Sequence, residues 1–467
     1  MQGELPAGQA PPSSGDPAPA AGNSTDTGDA DRSSDATPRG ATGTAGPAHG
    51  IVAPEIGPVG VGERVELIDI LRGFAIFGIL TFNMQLFFSP LHLMASHDKW
   101  WTGTLDRVVE QVILLLVQGK FYTLFSFLFG VGVALQFERA RARGRDFASV
   151  YVRRLTWLLA IGLVHAFGVW FGDILVTYAV FGFLLLLFRD RSYKVLTVWS
   201  VVLLLLPLGI FALATVIVEV AQLLPESAAM IRERFAENAA ANAEAIERAR
   251  EVYAGGTYVE ILRERASQVA LIYSITFLFG FGFNILGLFL IGLQVGRRRW
   301  LQEAHRYLPE ARKLMRILLP LGLAGATVTV VVNAHVDQPM QPSALGLLAQ
   351  IGAVVGIPAL SFGYVCAIIL LVHHERFGRY LTPLAAVGRM ALTNYLTHSI
   401  LMTLVANAYG LGLYGRIHPA TGLVMTVALY ALQIPFSTWW LRRFRFGPVE
   451  WVWRSLTYGR FQPMRAR

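Results

Sequence analysis

The chain has 467 residues, 54% of them hydrophobic and only 15% charged, with a mean hydropathy of +0.49. Soluble globular chains carry about 45–50% apolar and about 25% charged residues, so a soluble enzyme of this size is excluded, as are disordered, fibrous and collagen-like chains. The net charge of +9 does not point to nucleic acid, because it sits in short clusters between apolar runs and no basic face with interleaved aromatics occurs.

In chain order, residues 1–63 come first. They are Ala, Gly, Pro, Ser, Thr and Asp with few large apolar side chains, too little to offset chain entropy, and are expected to be a disordered cytoplasmic tail. The stretch lacks the basic start and apolar core of a signal peptide. Eight acidic residues against two basic ones precede Arg64, a net of −6, so the rest of the chain carries +15. From Leu67 onward about ten apolar runs follow, each long enough to suggest a membrane-crossing helix of about 20 residues. They are Leu67–Phe88, Leu105–Phe137, Leu155–Phe171, Ile174–Phe188, Val195–Leu223, Val269–Val295, Ile317–Asn333, Leu345–Val372, Leu384–Ala408 and Thr421–Leu441. The second run is too long for one upright span and implies tilt, a kink or an interfacial segment.

Arginines and lysines cluster after every even-numbered run: Arg139–Arg154, Arg189–Lys194, Arg297–Lys313, Arg376–Arg379 and Arg442–Arg460. The positive-inside rule then places both termini in the cytoplasm. The expected fold is all-α: a polytopic membrane bundle of about ten transmembrane helices. Its expected organisation is a five-helix half over 64–223, an extracytoplasmic helical insert over 224–268, a second five-helix half over 269–460 and a basic tail over 461–467. Within the insert, Glu226–Tyr253 reads as a helix, more simply a solvated cap than a lid.

A faint internal echo links Phe127–Gly132 with Phe277–Gly282, while Gly287, Gly292 and Gly296 suit close helix contact. Cys366, the single cysteine, permits no intrachain disulfide, and His373-His374 has no further ligands nearby, so no metal is expected. Zincin, nucleophile-elbow and phosphate-loop motifs are absent from the sequence.

An ionisable side chain in hydrocarbon costs about 2.5–3.5 kcal/mol or more, so each must meet a partner or a wet cavity. Asp69 and Arg72 share a helix face near the cytoplasmic end, either as a neutralising pair or as a cationic site for a phosphate-bearing cofactor. Asn83 lies further out on the same helix. Lys120 sits mid-run between Gly119 and Phe121-Tyr122, which suit a break. His165 and Asp173 are eight residues apart across an outer turn: a carboxylate-oriented general base, or an interfacial His beside a helix-capping Asp. Asn394 and His398 share a face, and with Tyr395 they could line a cavity.

Five segments resemble YeiB-like bacterial membrane proteins: Arg64–Leu80, Gly119–Gly130, His165–Tyr178, Gly388–Leu396 with Ser399, and Gly447–Tyr458. The opening motif is also similar to that of heparan-α-glucosaminide N-acetyltransferase and other transmembrane acyltransferases. That resemblance implies acyl transfer from cytoplasmic acyl-CoA to an extracytoplasmic or membrane-embedded acceptor (a glycan, lipid or small metabolite). On it, Arg72 and Lys120 would hold the donor, and either His165 with Asp173 or His97 would supply the base. Asp69, Asn83, His97, Asn394, Tyr395 and His398 are then candidate cavity residues. The expected location is the bacterial inner membrane, with the lipid bilayer as partner, room for a homo-oligomer and no nucleic acid. The rival expectations are a transporter of a small molecule or lipid-linked intermediate and a non-catalytic envelope-complex protein.

Overall fold

A computed structural model describes residues 65–465 except 96–99, 143, 145, 279 and 337–340. The tail over 1–63 and His97 therefore lie outside the described residues. Apart from one isolated bridge between Phe444 and Arg465, the described regular structure is helical.

The helices are α1 (Glu66–Phe88), α2 (Thr104–Leu116), α3 (Lys120–Ala142), α4 (Phe147–Gly168), α5 (Leu175–Leu185), α6 (Tyr193–Ala221), α7 (Pro225–Gly255) and α8 (Tyr258–Leu278). They continue as α9 (Phe281–Arg297), α10 (Leu308–Asn333), α11 (Ala344–Val372), α12 (Gly378–Arg389), α13 (Ala391–Ala406), α14 (Pro419–Arg443) and α15 (Pro448–Tyr458). All ten apolar runs are helical. Among the described residues, seven helices or near-continuous helix pairs are long and apolar enough to cross a membrane, and the pair α8–α9, bent by 61° at its break, is an eighth where it counts as one span. The fourth and ninth runs fall on shorter helices, α5 with a 3-10 turn to Phe188, and α12–α13 divided at Met390. The chain is a multi-pass membrane protein.

The long second run breaks where its glycine allows. Gly119 takes φ +82°, a backbone region open to glycine, between α2 and α3. Asp146 starts α4 by accepting from the amides of Ala148 (2.9 Å) and Ser149 (3.1 Å), which hold its carboxyl below the usual range.

Close packing uses missing side chains. A Cβ on Gly130 would strike the carbonyl of Phe289, and one on Gly292 the carbonyl of Phe127, so α3 and α9 approach backbone to backbone. The same holds for α1 and α12, where Gly73 faces the Leu384 carbonyl and Gly388 the Asp69 carbonyl. The glycines near the echo segments thus serve helix contact. Helix α1 packs on α12, α13 and α14, so the described helices from both ends of the chain share one compact unit. By contrast, large apolar side chains of α6 and α10 face outward, as lipid-facing helices require.

The basic ends meet on one face. Arg297 donates to the carbonyl of Arg191 (2.9 Å), joining the ends of α9 and α5, and Arg153 donates to that of Thr457 (3.4 Å), joining α4 to α15. The insert lies at the opposite end. There α7 packs on the 3-10 turn Leu91–Ala95, and the Tyr253 carbonyl accepts from the amide of Ala408 (2.8 Å).

Candidate functional site

Between α1, α3, α4, α5, the end of α12, α13 and α15 lies a cavity of about 300 Å³. Its basic-face portion gathers Arg72, Arg139, Arg154, Arg389, Arg445 and Arg454 against two carboxylates, Asp69 and Glu450. Ile76, Ile79, Phe125, Phe129, Leu175 and Tyr178 make an apolar wall. A guanidinium-rich end joined to an apolar end matches an anionic amphiphile, because guanidinium recognises phosphate bidentately while the wall favours a hydrocarbon chain.

The arginines are held by different means. Arg72 Nη1 donates to Asp69 Oδ1 at 3.0 Å, the neutralising pair the helix spacing implied, and both line the cavity. Arg154 donates to Gln136 Oε1 (3.0 Å) and lies over the ring of Trp453, 4.1 Å from its centroid. Arg454 lies over Phe446 at 4.7 Å. Arg389 is seated by the Gly388 contact with α1, and its Nε has no partner among the described residues.

Glu450 is not free to neutralise this set. Its Oε1 accepts from the amides of Leu392 (2.7 Å) and Thr393 (3.0 Å), and its Oε2 accepts from the Thr393 hydroxyl. A carboxylate from α15 thus terminates the otherwise open N-terminus of α13. Burial pushes the Glu450 carboxyl up, opposed by these hydrogen bonds. Two of the segments singled out in the sequence, Gly388–Leu396 and Gly447–Tyr458, are the two sides of this lock.

Next to the apolar wall, His165 Nδ1 lies 2.7 Å from Asp173 Oδ2, with both side chains buried. Asp173 Oδ1 accepts from the amide of Val176 at 2.8 Å. Both readings of Asp173 hold together: one oxygen caps α5 and the other orients the imidazole. The other ring nitrogen, Nε2, has no partner among the described residues, and in a neutral ring whose Nδ1–H donates to the carboxylate it carries the lone pair. His165 does not itself line the cavity. Its ring packs 5.3 Å from Tyr395, which does, and 6.4 Å from Trp170 on the other side. Ile174, next to Asp173, also lines the cavity, and the Tyr395 hydroxyl donates to the Gly172 carbonyl at 3.3 Å.

Other expected residues fall elsewhere. Lys120, 3% exposed, turns its Nζ onto the Leu114 carbonyl (2.9 Å) across the α2–α3 break, so it does not join Arg72 in the cavity. Asn83 does not line it either. His398 Nε2 lies 2.7 Å from Gln433 Oε1, and Asn394 Nδ2 donates to Val387 O and Ser437 Oγ, both at 3.2 Å. Asn394 and His398 share a face, and it joins α13 to α14, with a further Asn394 bond to α12, instead of lining the cavity. The sequence reading assigned no site role to Arg154, Arg389, Arg454, Gln136, Gln433 or Glu450. Arg389, Arg454 and Glu450 stood inside quoted motifs, a signal that could have found them.

Residues 295–460 match the family described as "Protein of unknown function (DUF418)". The chain is 36% identical over 422 residues to "Uncharacterized protein YxaH" of Bacillus subtilis, covering 87% of this chain and 97% of that protein. It is 31% identical over 406 residues to "Uncharacterized protein YeiB" of Escherichia coli, covering 85% and 96% respectively.

Proposed function

Starting from a chain that belongs to the YeiB-like DUF418 family, we propose that it is a transmembrane acyltransferase of the bacterial inner membrane. It takes the acyl group from cytoplasmic acyl-CoA and delivers it to a hydroxyl or amine of an acceptor reached from the other side. The observation that carries this reading is one cavity with an arginine-rich end on the basic face and an apolar end beside the His165–Asp173 pair. By the positive-inside rule the basic face is cytoplasmic, where acyl-CoA is found.

Arg72, Arg389 and Arg454 bind the donor's phosphates, and the apolar wall takes the acyl chain. The Tyr395 ring stands between the cavity and His165, held by a 3.3 Å bond, and its displacement joins them. His165 Nε2 then accepts the acceptor's proton as the new ester or amide bond forms, and the thioester C–S bond breaks. The proton passes from the imidazolium to the departing thiolate. Asp173 holds the tautomer and stabilises the imidazolium. A positioned base contributes roughly 10²–10⁴-fold, and alignment within a dry cavity supplies much of the rest.

The test uses purified full-length protein in detergent. Acyl-CoA raises its unfolding temperature, and Arg72→Ala or Arg389→Ala weakens that binding about 10-fold or more, the value of a charge-assisted hydrogen bond. His165→Ala keeps donor binding and lowers acyl transfer in membranes roughly 10²–10⁴-fold. No shift with any acyl chain length sinks the donor assignment. Binding without loss of the thioester, indifferent to His165→Ala, makes the cavity a transport site.

A further inference from the structure

We propose that a second, small pocket at the opposite end of the bundle binds one monatomic anion, chloride being the representative ligand, on Arg265. This stands apart from the acyltransfer reading and uses none of its residues.

The pocket has a volume of about 10 Å³, the least that holds one water, so a halide enters only as the surrounding side chains yield; its polar lining comes from Trp170, Tyr253, Arg265, Thr403, Asn407 and Tyr414. Arg265 is 1% exposed. Its Nη1 donates to the carbonyls of Phe167 (3.2 Å) and Gly168 (2.7 Å), so the negative end of α4 offsets part of its charge. Its Nη2 has no partner, and no carboxylate lies within ion-pair distance among the described residues. Neighbouring Glu264 is already engaged, one oxygen by Arg248 (3.3 Å) and the other by Gln268 (3.1 Å).

Trp170 Nε1 and the hydroxyls of Tyr253 and Tyr414 also lack a well-aligned partner among the described residues, and the Tyr253 hydroxyl lies beside the Arg265 guanidinium. Indole and guanidinium can only donate, and phenols can donate. A water accepts two such bonds, whereas a halide accepts all of them and supplies the charge a buried guanidinium lacks. The donors come from four parts of the chain: α7 (Tyr253), α8 (Arg265), the α4–α5 turn (Trp170) and the segment after α13 (Tyr414). The bound ion therefore fastens the insert to the bundle.

The experiment measures thermal unfolding of the full-length protein in detergent, in sodium chloride, sodium bromide or sodium gluconate at constant ionic strength. Chloride and bromide are expected to raise the unfolding temperature saturably, by about 2 °C at a tenfold excess over Kd. Arg265→Gln is expected to abolish the difference. Because that variant can fail to fold, Tyr414→Phe, which keeps its ring and loses only the hydroxyl, and Trp170→Phe, which loses the indole N–H, serve as well, each weakening halide binding about tenfold. Bromide anomalous scattering should place the ion beside Arg265 Nη2. Equal unfolding temperatures in chloride and gluconate for the unsubstituted protein, or bromide found only elsewhere, would overturn the proposal and leave the pocket to water.

Discussion

Glu450 shows how one side chain can decide a local structure. It supplies the acceptor for two backbone amides at the start of α13 and for the Thr393 hydroxyl, which itself accepts from the Val449 amide. Glu450→Ala is expected to cost about 2–4 kcal/mol, and Glu450→Gln about 1 kcal/mol because one carbonyl acceptor survives; thermal unfolding of each variant in detergent checks the order. The pH dependence follows from the raised carboxyl. A native pKa above the unfolded one gives a contribution complete below the unfolded carboxylate value and lost as pH rises through the native value. Stability should therefore decline across the window just above the ordinary carboxylate range, and Glu450→Gln should flatten that decline. Lys120 is the converse case, engaged by its own chain. Lys120→Met should leave donor affinity unchanged in the same acyl-CoA titration that Arg72→Ala weakens.

Residues were legible in the sequence where partners lay close along the chain. Asp69 with Arg72, and His165 with Asp173, could be paired by helical arithmetic, and the structure pairs both. Glu450 with Thr393 and His398 with Gln433 could not, because those contacts span 57 and 35 residues and nothing local encodes them.

At the scale of elements, apolar length located every run but not where helices restart within one. The α12–α13 division needs a carboxylate from α15, and the α2–α3 division needs a glycine at positive φ. Crossings depend on side chains that are missing. At Gly292, a substitution to Ala drives a methyl group into the Phe127 carbonyl, with backbone on both sides and little room to yield. It should cost about 1–3 kcal/mol, read as a lower unfolding temperature. Gly388→Ala presses likewise on the Asp69 carbonyl. Since it shifts the α1–α12 seam beside both Arg72 and Arg389, acyl-CoA affinity should fall with stability.

Across the membrane unit as a whole, the alternation of basic loops was the most informative feature of the sequence. It brings arginines from distant segments to one face, and the structure bonds several of them there. The cavity itself was not visible in the sequence, because its walls combine α1 with α3–α5, the end of α12, α13 and α15. A chain stopped before Pro448 should still insert, but it should fail to bind acyl-CoA, as a membrane-fraction binding assay would show.

That same arrangement has a consequence for biosynthesis. On the ribosome α1 waits for α15, since α15 both completes the chamber and holds α13 in register. Until α15 is made, the nascent protein is an unsealed bundle with its arginines uncovered, so sealing becomes a single late event instead of a gradual one.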